Sequence, residues 1–561
     1  MSFPPLRRPA LSVNWSTIWD RIAQADPDRA ALVWRDERTS FGDLEDRAAR
    51  LAGWLQHQGV QRDDRVACLL NNRPEYVVSM YAAMKLGAVP VNLNFRYAEA
   101  ELRHVVEMTR PRVVVVAASL VDRLVAASAG TAEPPVLVAV EDGSAPATGV
   151  PFAEAIAGAR APGCDRSGAD RIFLLTGGTT GMPRAVVYRH DVVLDTQLTS
   201  AYSTLGVDFP HDLEEAVGLA VDPALEHPVT LPITPLMHAM AFFNAMNTLL
   251  TGGTLVFLPS RRFDPAAALE TVAAHGVTRL IIAGDAVAVP LAEELGRRPD
   301  ARFDSLRTVM SSGMAWSDRT KRTLLERTDA ELIDIVGASE GGPFAMSRTG
   351  GVDELPSRLR LLPGAVLLDG QDDELEPVPG AVGLLAYRGA TPEGYFEDPV
   401  RTATVYRRVR GTRYLVPGDW ARFEADGDDA RARRRRREHR RGERLPRRGR
   451  GRARRAPGRR RLRGVRAARR ALGAGGRRGG GAAARRDRHR GGAAGARRRA
   501  PRRLQEAAAH LHRHHRARRH RQGPVARPAG ARGRGARPGY AVTRPSAARS
   551  IRCSSASACA A

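Results

Sequence analysis

Short apolar runs alternate with helix-periodic stretches through most of this chain, and the alternation stops after Gly427. That break bounds what can fold. Residues 1–427 carry 43 Lys and Arg against 55 Asp and Glu, a net charge of −12; residues 428–561 carry 45 Arg, no Lys and six acids, a net of +39. The tail has one aromatic residue, Tyr540, and almost no apolar run. It cannot bury enough surface to offset chain entropy and is expected to be disordered. The formal charge of +27, which ordinarily points to a nucleic-acid partner, therefore belongs to the tail and not to the body.

Within residues 1–427, strand-like and helix-like segments follow one another. Arg65–Leu70 and Val89–Leu93 read as strands around a helix over Asn72–Leu86. The pattern returns with strands at Thr254–Leu258, Arg279–Ala283 and Thr308–Ser311, and helices at Pro265–His275 and Val287–Leu295. This predicts an α/β body of parallel sheets covered by helices, with a smaller subdomain beyond the usual domain size. Such sheets hold ligands in loops at the carboxyl ends of their strands. Cys68 and Cys164 lie far apart without metal-ligand spacing, as expected for a reducing cytoplasm. No apolar h-region opens the chain and no apolar run approaches a membrane span, so a cytoplasmic location is expected.

One such loop is unusual. An apolar run, Ile172–Leu175, ends in Thr176, Gly177, Gly178, Thr179, Thr180 and Gly181, then Met182, Pro183 and Arg184, before a second run, Ala185–Tyr188. Three glycines permit a tight turn and close backbone approach to a ligand. Threonine hydroxyls and backbone N–H groups facing one concavity suit a polyanion, and Arg184 adds a fixed positive charge. Gly/Thr-rich loops between strands are common, and this is not a Walker loop, since Gly181 is not followed by Lys-Ser/Thr. The chemistry that fits is binding of a nucleotide's phosphates.

The order Thr-Gly-Gly-Thr-Thr-Gly-x-Pro-Arg resembles the phosphate loop of the adenylate-forming (AMP-binding) enzymes, with Arg184 and Ala185 where that family usually has Lys-Gly. Further segments match in family order. Asp334-Ile335-Val336-Gly337-Ala338-Ser339-Glu340 resembles Asn-x-Tyr-Gly-x-Thr-Glu. The resemblance implies that Glu340 holds Mg²⁺ bridging ATP phosphates, that Ser339 contacts the α-phosphate beside Gly337, and that Asp334 faces the adenine amino group. Ser311-Ser312-Gly313-Met314 resembles the segment lining the adenine pocket. Pro235-Leu236-Met237-His238-Ala239 resembles the motif bordering the carboxylate, which places His238 beside it. Gly284-Asp285-Ala286 lines the same pocket, or Asp285 caps the helix that follows. Tyr414-Leu415-Val416-Pro417-Gly418-Asp419 resembles the element whose aspartate accepts from both ribose hydroxyls. Gly394-Tyr395-Phe396-Glu397-Asp398-Pro399 also matches, with no role assigned.

The resemblance is closest to bacterial fatty-acyl and steroid-acid CoA ligases. It implies an ATP-dependent acyl-CoA synthetase that uses ATP, Mg²⁺ and coenzyme A to activate a fatty or steroid-like carboxylic acid through an acyl-adenylate, with Arg184, Glu340 and His238 in the reaction. A homodimer is left open. Two readings of residues 428–561 compete: an arginine-rich arm binding nucleic acid non-specifically, or an out-of-frame translation of GC-rich coding sequence. The second is favoured. Shifted by one base with GC-rich codons, Gly442–Arg450 can give Val-Tyr-Pro-Ala-Glu-Val-Glu, and His520–Gly523 can give Thr-Gly-Lys-Ala, both resembling the family's small C-terminal domain. The chain is then expected to bind ATP with ligation impaired. Alternatives are a nucleotide- or acyl-adenylate-binding protein without turnover, or a nucleic-acid binder.

Overall fold

The computed structural model describes residues 11–176 and 181–424. Gly177, Gly178, Thr179 and Thr180 of the predicted phosphate loop, and the tail 428–561 with its expected disorder, lie outside the described residues.

Two large sheets carry the body. One has eight strands in the order Gly394–Tyr395, Ala185–Arg189, Arg171–Leu175, Val89–Asn92, Arg65–Leu69, Val113–Ala117, Val136–Val140, Val150–Pro151. The other has nine: Arg360–Leu361, Gly341–Thr349, Glu331–Ala338, Thr308–Ser312, Arg279–Ile282, Val229–Pro232, Thr254–Phe257, Ala30–Trp34, Glu37–Ser40. Their central pairings are parallel, as the alternating pattern predicts. The edges differ: Ala185–Arg189 and Gly394–Tyr395, and Gly341–Thr349 and Arg360–Leu361, run antiparallel. A third sheet, built from Ala365–Leu368, Val382–Tyr387, Thr412–Leu415, Tyr406–Val409 and Trp420–Arg422, is antiparallel throughout and forms the smaller β subdomain.

Period-two burial explains the layering. Val113 and Val115 enter one apolar cluster while Val114 and Val116 enter another on the opposite face. Likewise Ile281 joins the first cluster, and Leu280 and Ile282 join the far side of the nine-stranded sheet. Helices Trp15–Ala25, Pro74–Lys85 and Ala239–Leu250 contribute their buried residues to the cluster that residues of both sheets share. A helix walled in by two sheets has no polar face to present, and Ala241 to Leu250 are buried without interruption. Helices Glu99–Thr109 and Val121–Ser128 cover the outer face of the first sheet, and Pro265–His275, Asp285–Arg297 and Asp318–Leu325 that of the second.

Local signals set most boundaries. Helix Pro265–His275 begins where the Asp264 side chain accepts from Ala266 and Ala267 N–H, with Pro265 at its first position, and ends at left-handed Gly276. Strand Glu331–Ala338 runs past the apolar residues Leu332–Val336 to Ala338, because Gly341–Thr349 folds back and pairs with it.

Candidate functional site

The predicted phosphate loop springs from an antiparallel hairpin. Leu175 pairs with Ala185; beyond them Thr176 N–H donates to the Arg184 carbonyl at 2.9 Å, and Arg184 N–H to Thr176 Oγ1 at 3.3 Å. These two bonds close the neck of the loop. Thr176 thus spends an acceptor on the neck while its hydroxyl can still donate. A Cβ on Gly181 would meet nothing within 4 Å. Arg184 is not a solitary charge: its Nε donates to Asp398 Oδ2 at 3.1 Å.

A second hairpin carries Ser339 and Glu340 in the turn between strands Glu331–Ala338 and Gly341–Thr349. Three phenols hold this turn. Tyr188 Oη donates to the Ser339 carbonyl at 2.8 Å, Tyr406 Oη to the Glu340 carbonyl at 2.7 Å, and Tyr395 Oη to Glu340 Oε1 at 2.7 Å. Tyr188 and Tyr395 come from the eight-stranded sheet and Tyr406 from the small sheet, so all three sheets meet at two residues. Burial pushes the three phenols above their ordinary range, and the charge of Glu340 adds to the shift. They remain protonated donors at neutral pH. Gly341, at φ +133°, lies so close to Leu415 that a Cβ would approach Cδ2 to 2.8 Å.

The residues expected on the adenine side sit on adjacent strands. Asp334 is in register with Ser311 on one side and Ser347 on the other. Its carboxylate accepts from Lys321 Nζ at 3.0 Å. Added Cβ atoms on Gly313 (φ +80°) and Gly337 would meet nothing within 4 Å, so the backbone of both borders open space. Gly284, at φ +47°, has no such room: a Cβ would come within 2.4 Å of the Ala315 carbonyl. Asp285 caps a helix, though not its own: Oδ1 accepts from Ser317 N–H and from Thr320 Oγ1, fixing the start of Asp318–Leu325.

His238 stands at the head of helix Ala239–Leu250. Its side chain is open to solvent, yet enough protein surrounds it that desolvation, with the nearby charge of Arg96, lowers its pKa. Two asparagines with no role assigned from the sequence fix the segment before it. Asn72 donates to the Pro232 and Thr234 carbonyls at 2.8 and 3.1 Å and accepts from Leu236 N–H at 2.7 Å. Asn92 donates to the Met237 carbonyl at 3.1 Å. Asp419 lies between Thr412–Leu415 and Trp420–Arg422, its carbonyl accepting from Leu385 N–H at 2.8 Å.

One stretch joins the two hairpins. Glu393 and Phe396 N–H groups donate to the Val187 and Ala185 carbonyls at 2.9 and 2.8 Å, laying 393–396 along strand Ala185–Arg189. Within six residues Asp398 then reaches Arg184, and Tyr395 reaches Glu340. The bonded network takes in Thr176, Arg184, Ser339 and Glu340; Asp334 is held separately by Lys321, and His238 and Asp419 sit on elements of their own. Tyr395 and Asp398 were in view in the sequence, but without a function.

Comparison with known proteins gives one answer. Residues 19–396 match the family described as AMP-binding enzyme. A medium/long-chain-fatty-acid–CoA/3-oxocholest-4-en-26-oate–CoA ligase of Mycobacterium tuberculosis is 34% identical over 428 residues, covering 74% of this chain and 77% of its own. A 3-oxocholest-4-en-26-oate–CoA ligase of Rhodococcus rhodochrous is 29% identical, with shares of 74% and 77%. Among solved structures, a putative long-chain-fatty-acid CoA ligase from Rhodopseudomonas palustris superposes with a TM-score of 0.62 at 24% identity, over 76% of this chain and 99% of its own. The N-terminal domain of FACL13 from Mycobacterium tuberculosis gives 0.60 at 19% identity, over 75% and 99%.

Proposed function

The chain belongs to the AMP-binding enzyme family, and on that premise we propose that it is built as an ATP-dependent acyl-CoA synthetase for a fatty or steroid-like carboxylic acid. The observation that carries this is the union of Thr176, Arg184, Ser339 and Glu340 in one bonded network. The names of the similar ligases support the substrate class.

In the first step a carboxylate oxygen attacks the α-phosphorus of ATP, the bond to the β-phosphate breaks, and pyrophosphate leaves. In the second, the thiol sulfur of coenzyme A attacks the acyl carbon of the adenylate, AMP leaves, and the thiol proton passes to solvent. The chain's own work is positioning and charge stabilisation. Arg184, Thr176, Thr179 and Thr180, with the N–H groups of Gly177, Gly178 and Gly181, hold the β- and γ-phosphates. Ser339 and Gly337 meet the α-phosphate, Asp334 and Gly313 the base, Asp419 the ribose, and His238 the acid.

Among the described residues no group of three or more His, Cys, Asp or Glu could hold an ion alone. Glu340 would hold Mg²⁺ through its single carboxylate, whose hard oxygen donors suit this cation. When bound, Mg²⁺ neutralises phosphate charge. Tyr395 would set the angle of the Glu340 carboxylate that holds it.

Residues 1–427 then form the adenylation large domain. The match to 99% of an isolated N-terminal domain, against 77% of the curated ligases, supports this boundary. One observation favours binding without turnover. The chain contains two lysines, Lys85 and Lys321, and each is held in a buried ion pair. The family's C-terminal catalytic lysine has no counterpart in the arginine-rich residues 428–561, which we read as translated out of frame. ATP binding is retained and acyl-CoA formation is lost or severely reduced. Calorimetric ATP binding, pyrophosphate exchange with a panel of acids and acyl-CoA formation test this on the full chain. Robust acyl-CoA formation overturns the impairment; absence of both ATP binding and exchange overturns the synthetase reading. Sequencing the coding DNA around Gly427 decides the origin of the tail.

No helix of the described residues is long and apolar enough to cross a membrane. The acid, ATP and coenzyme A are the partners proposed, in the cytoplasm; nucleic acid binds only non-specifically through the tail where it is made.

A further inference from the structure

Lys321 is an expensive residue. Its side chain is 4% exposed, its ammonium lies 3.0 Å from Asp334 Oδ2, and its Nζ stands 5.1 Å from the centroid of the Trp316 ring. Burying an ion pair carries a desolvation cost, and well-packed apolar residues often serve stability as well or better. Helix Asp318–Leu325 already buries Thr320 and Leu324 against the sheet. Packing alone gives no reason to spend one of only two lysines here.

The partner suggests a reason. Asp334 retains 19% side-chain exposure, so the carboxylate is gripped by Lys321 from one side and reachable from another. Open space borders Gly313, two residues beyond Ser311, and Gly337 on Asp334's own strand. We infer that Lys321 is a positioning residue for base selection: its ammonium holds the Asp334 carboxylate as a hydrogen-bond acceptor for the 6-amino group of adenine. This rests on the reading of Asp334 given under the proposed function.

The chemistry turns on charge. An ionised carboxylate accepts with both oxygens, whereas a carboxylic acid gives one of them over to an O–H donor that an amino group cannot use. Burial and the neighbouring Asp318 and Asp285 all push Asp334 toward the neutral acid, and Lys321 is the group opposing them. Without the ammonium nothing holds the carboxylate's orientation or opposes that push, so the acceptor is weakened, even though the backbone around the base is unchanged.

The test is equilibrium binding of Mg·ATP and of magnesium purine-riboside triphosphate, which lacks the 6-amino group, to the full chain and its variants. The wild type prefers ATP. Lys321→Met weakens ATP binding about tenfold, the scale of one hydrogen bond to a charged group, and leaves the purine-riboside nucleotide within about twofold. Lys321→Arg, which keeps the charge, keeps the preference. Lys321→Met combined with Asp334→Asn, a neutral acceptor needing no counter-charge, restores it, and carries the test should the single variant not fold. A folded Lys321→Met that loses affinity for both nucleotides equally, or for neither, overturns the inference while leaving Asp334's role intact. A folded double variant without the preference also overturns it. A wild type with no preference for ATP overturns the reading of Asp334 and this inference together.

Discussion

Tyr395 and Glu340, 55 residues apart in sequence, are joined by a 2.7 Å hydrogen bond from the phenol to the carboxylate. The ring of Tyr395 also packs edge-on against Tyr406 with centroids 6.2 Å apart. Removing only the hydroxyl therefore leaves the packing in place. Tyr395→Phe is expected to raise the Mg²⁺ concentration needed for half-maximal ATP binding about tenfold, with little change in thermal midpoint, since a hydrogen bond to a charged group contributes about 1.5–3 kcal/mol. An unchanged magnesium dependence would show that Tyr395 does not set Glu340 for the metal.

Asp398 shares the charge of Arg184 and also caps helix Pro399–Val405, accepting from Arg401 N–H at 2.9 Å. Asn can keep that cap without the charge. Asp398→Asn is expected to tighten pyrophosphate and ATP binding a few-fold at low salt. Its stability should change by less than about 1 kcal/mol, because the pair is partly exposed. Weaker binding, or no salt-sensitive gain, counts against Arg184 as a phosphate ligand.

His190 is fully buried, its Nδ1 accepting from Trp15 N–H at 3.0 Å, and burial lowers its pKa from 6.5 to about 3. The unfolded chain takes up the proton first as pH falls. The contribution to stability is therefore complete above about pH 6.5 and is lost toward pH 3, at about 1.4 kcal/mol per pH unit. His190→Asn keeps an acceptor for Trp15 and should flatten the acid limb of a urea-midpoint against pH curve by about one proton. An identical slope in the variant means His190 does not govern it.

Gly284 meets two demands at once, a φ of +47° and a 2.4 Å approach of the Ala315 carbonyl to any Cβ. Gly284→Ala is expected to cost about 1–3 kcal/mol in urea unfolding. It should also weaken nucleotide binding by displacing Gly313–Ala315. A variant of wild-type stability would mean that the loop shifts freely.

How much of this was legible follows the reach of each signal. Helix Pro265–His275 was readable because Asp264, Pro265 and Gly276 are local punctuation. The strands around Val89 and Thr308 were readable from short apolar runs. The antiparallel edges were not, since a run such as Ala185–Tyr188 looks alike in either direction. Tyr395 and Asp398 acquire meaning only when 393–396 lies along a strand some 200 residues earlier. Asn72, Asn92 and Lys321 are ordinary in sequence; their partners at 232–237 and 334 are supplied by topology. For Arg184, the sequence revealed the charge but not its neighbour.

The Ser339–Glu340 turn, held by Tyr188, Tyr395 and Tyr406, also has a history along the growing chain. Its first anchor is synthesised about 150 residues before it and its last 66 residues after it. A nascent polypeptide can close the first anchor early, but any stretch released before Tyr406 leaves the turn short of a support. Arrest during synthesis at successive lengths should therefore show nucleotide capture switching on late, once residues past 406 have cleared the ribosome. Everything that switch requires is encoded upstream of the arginine-rich residues.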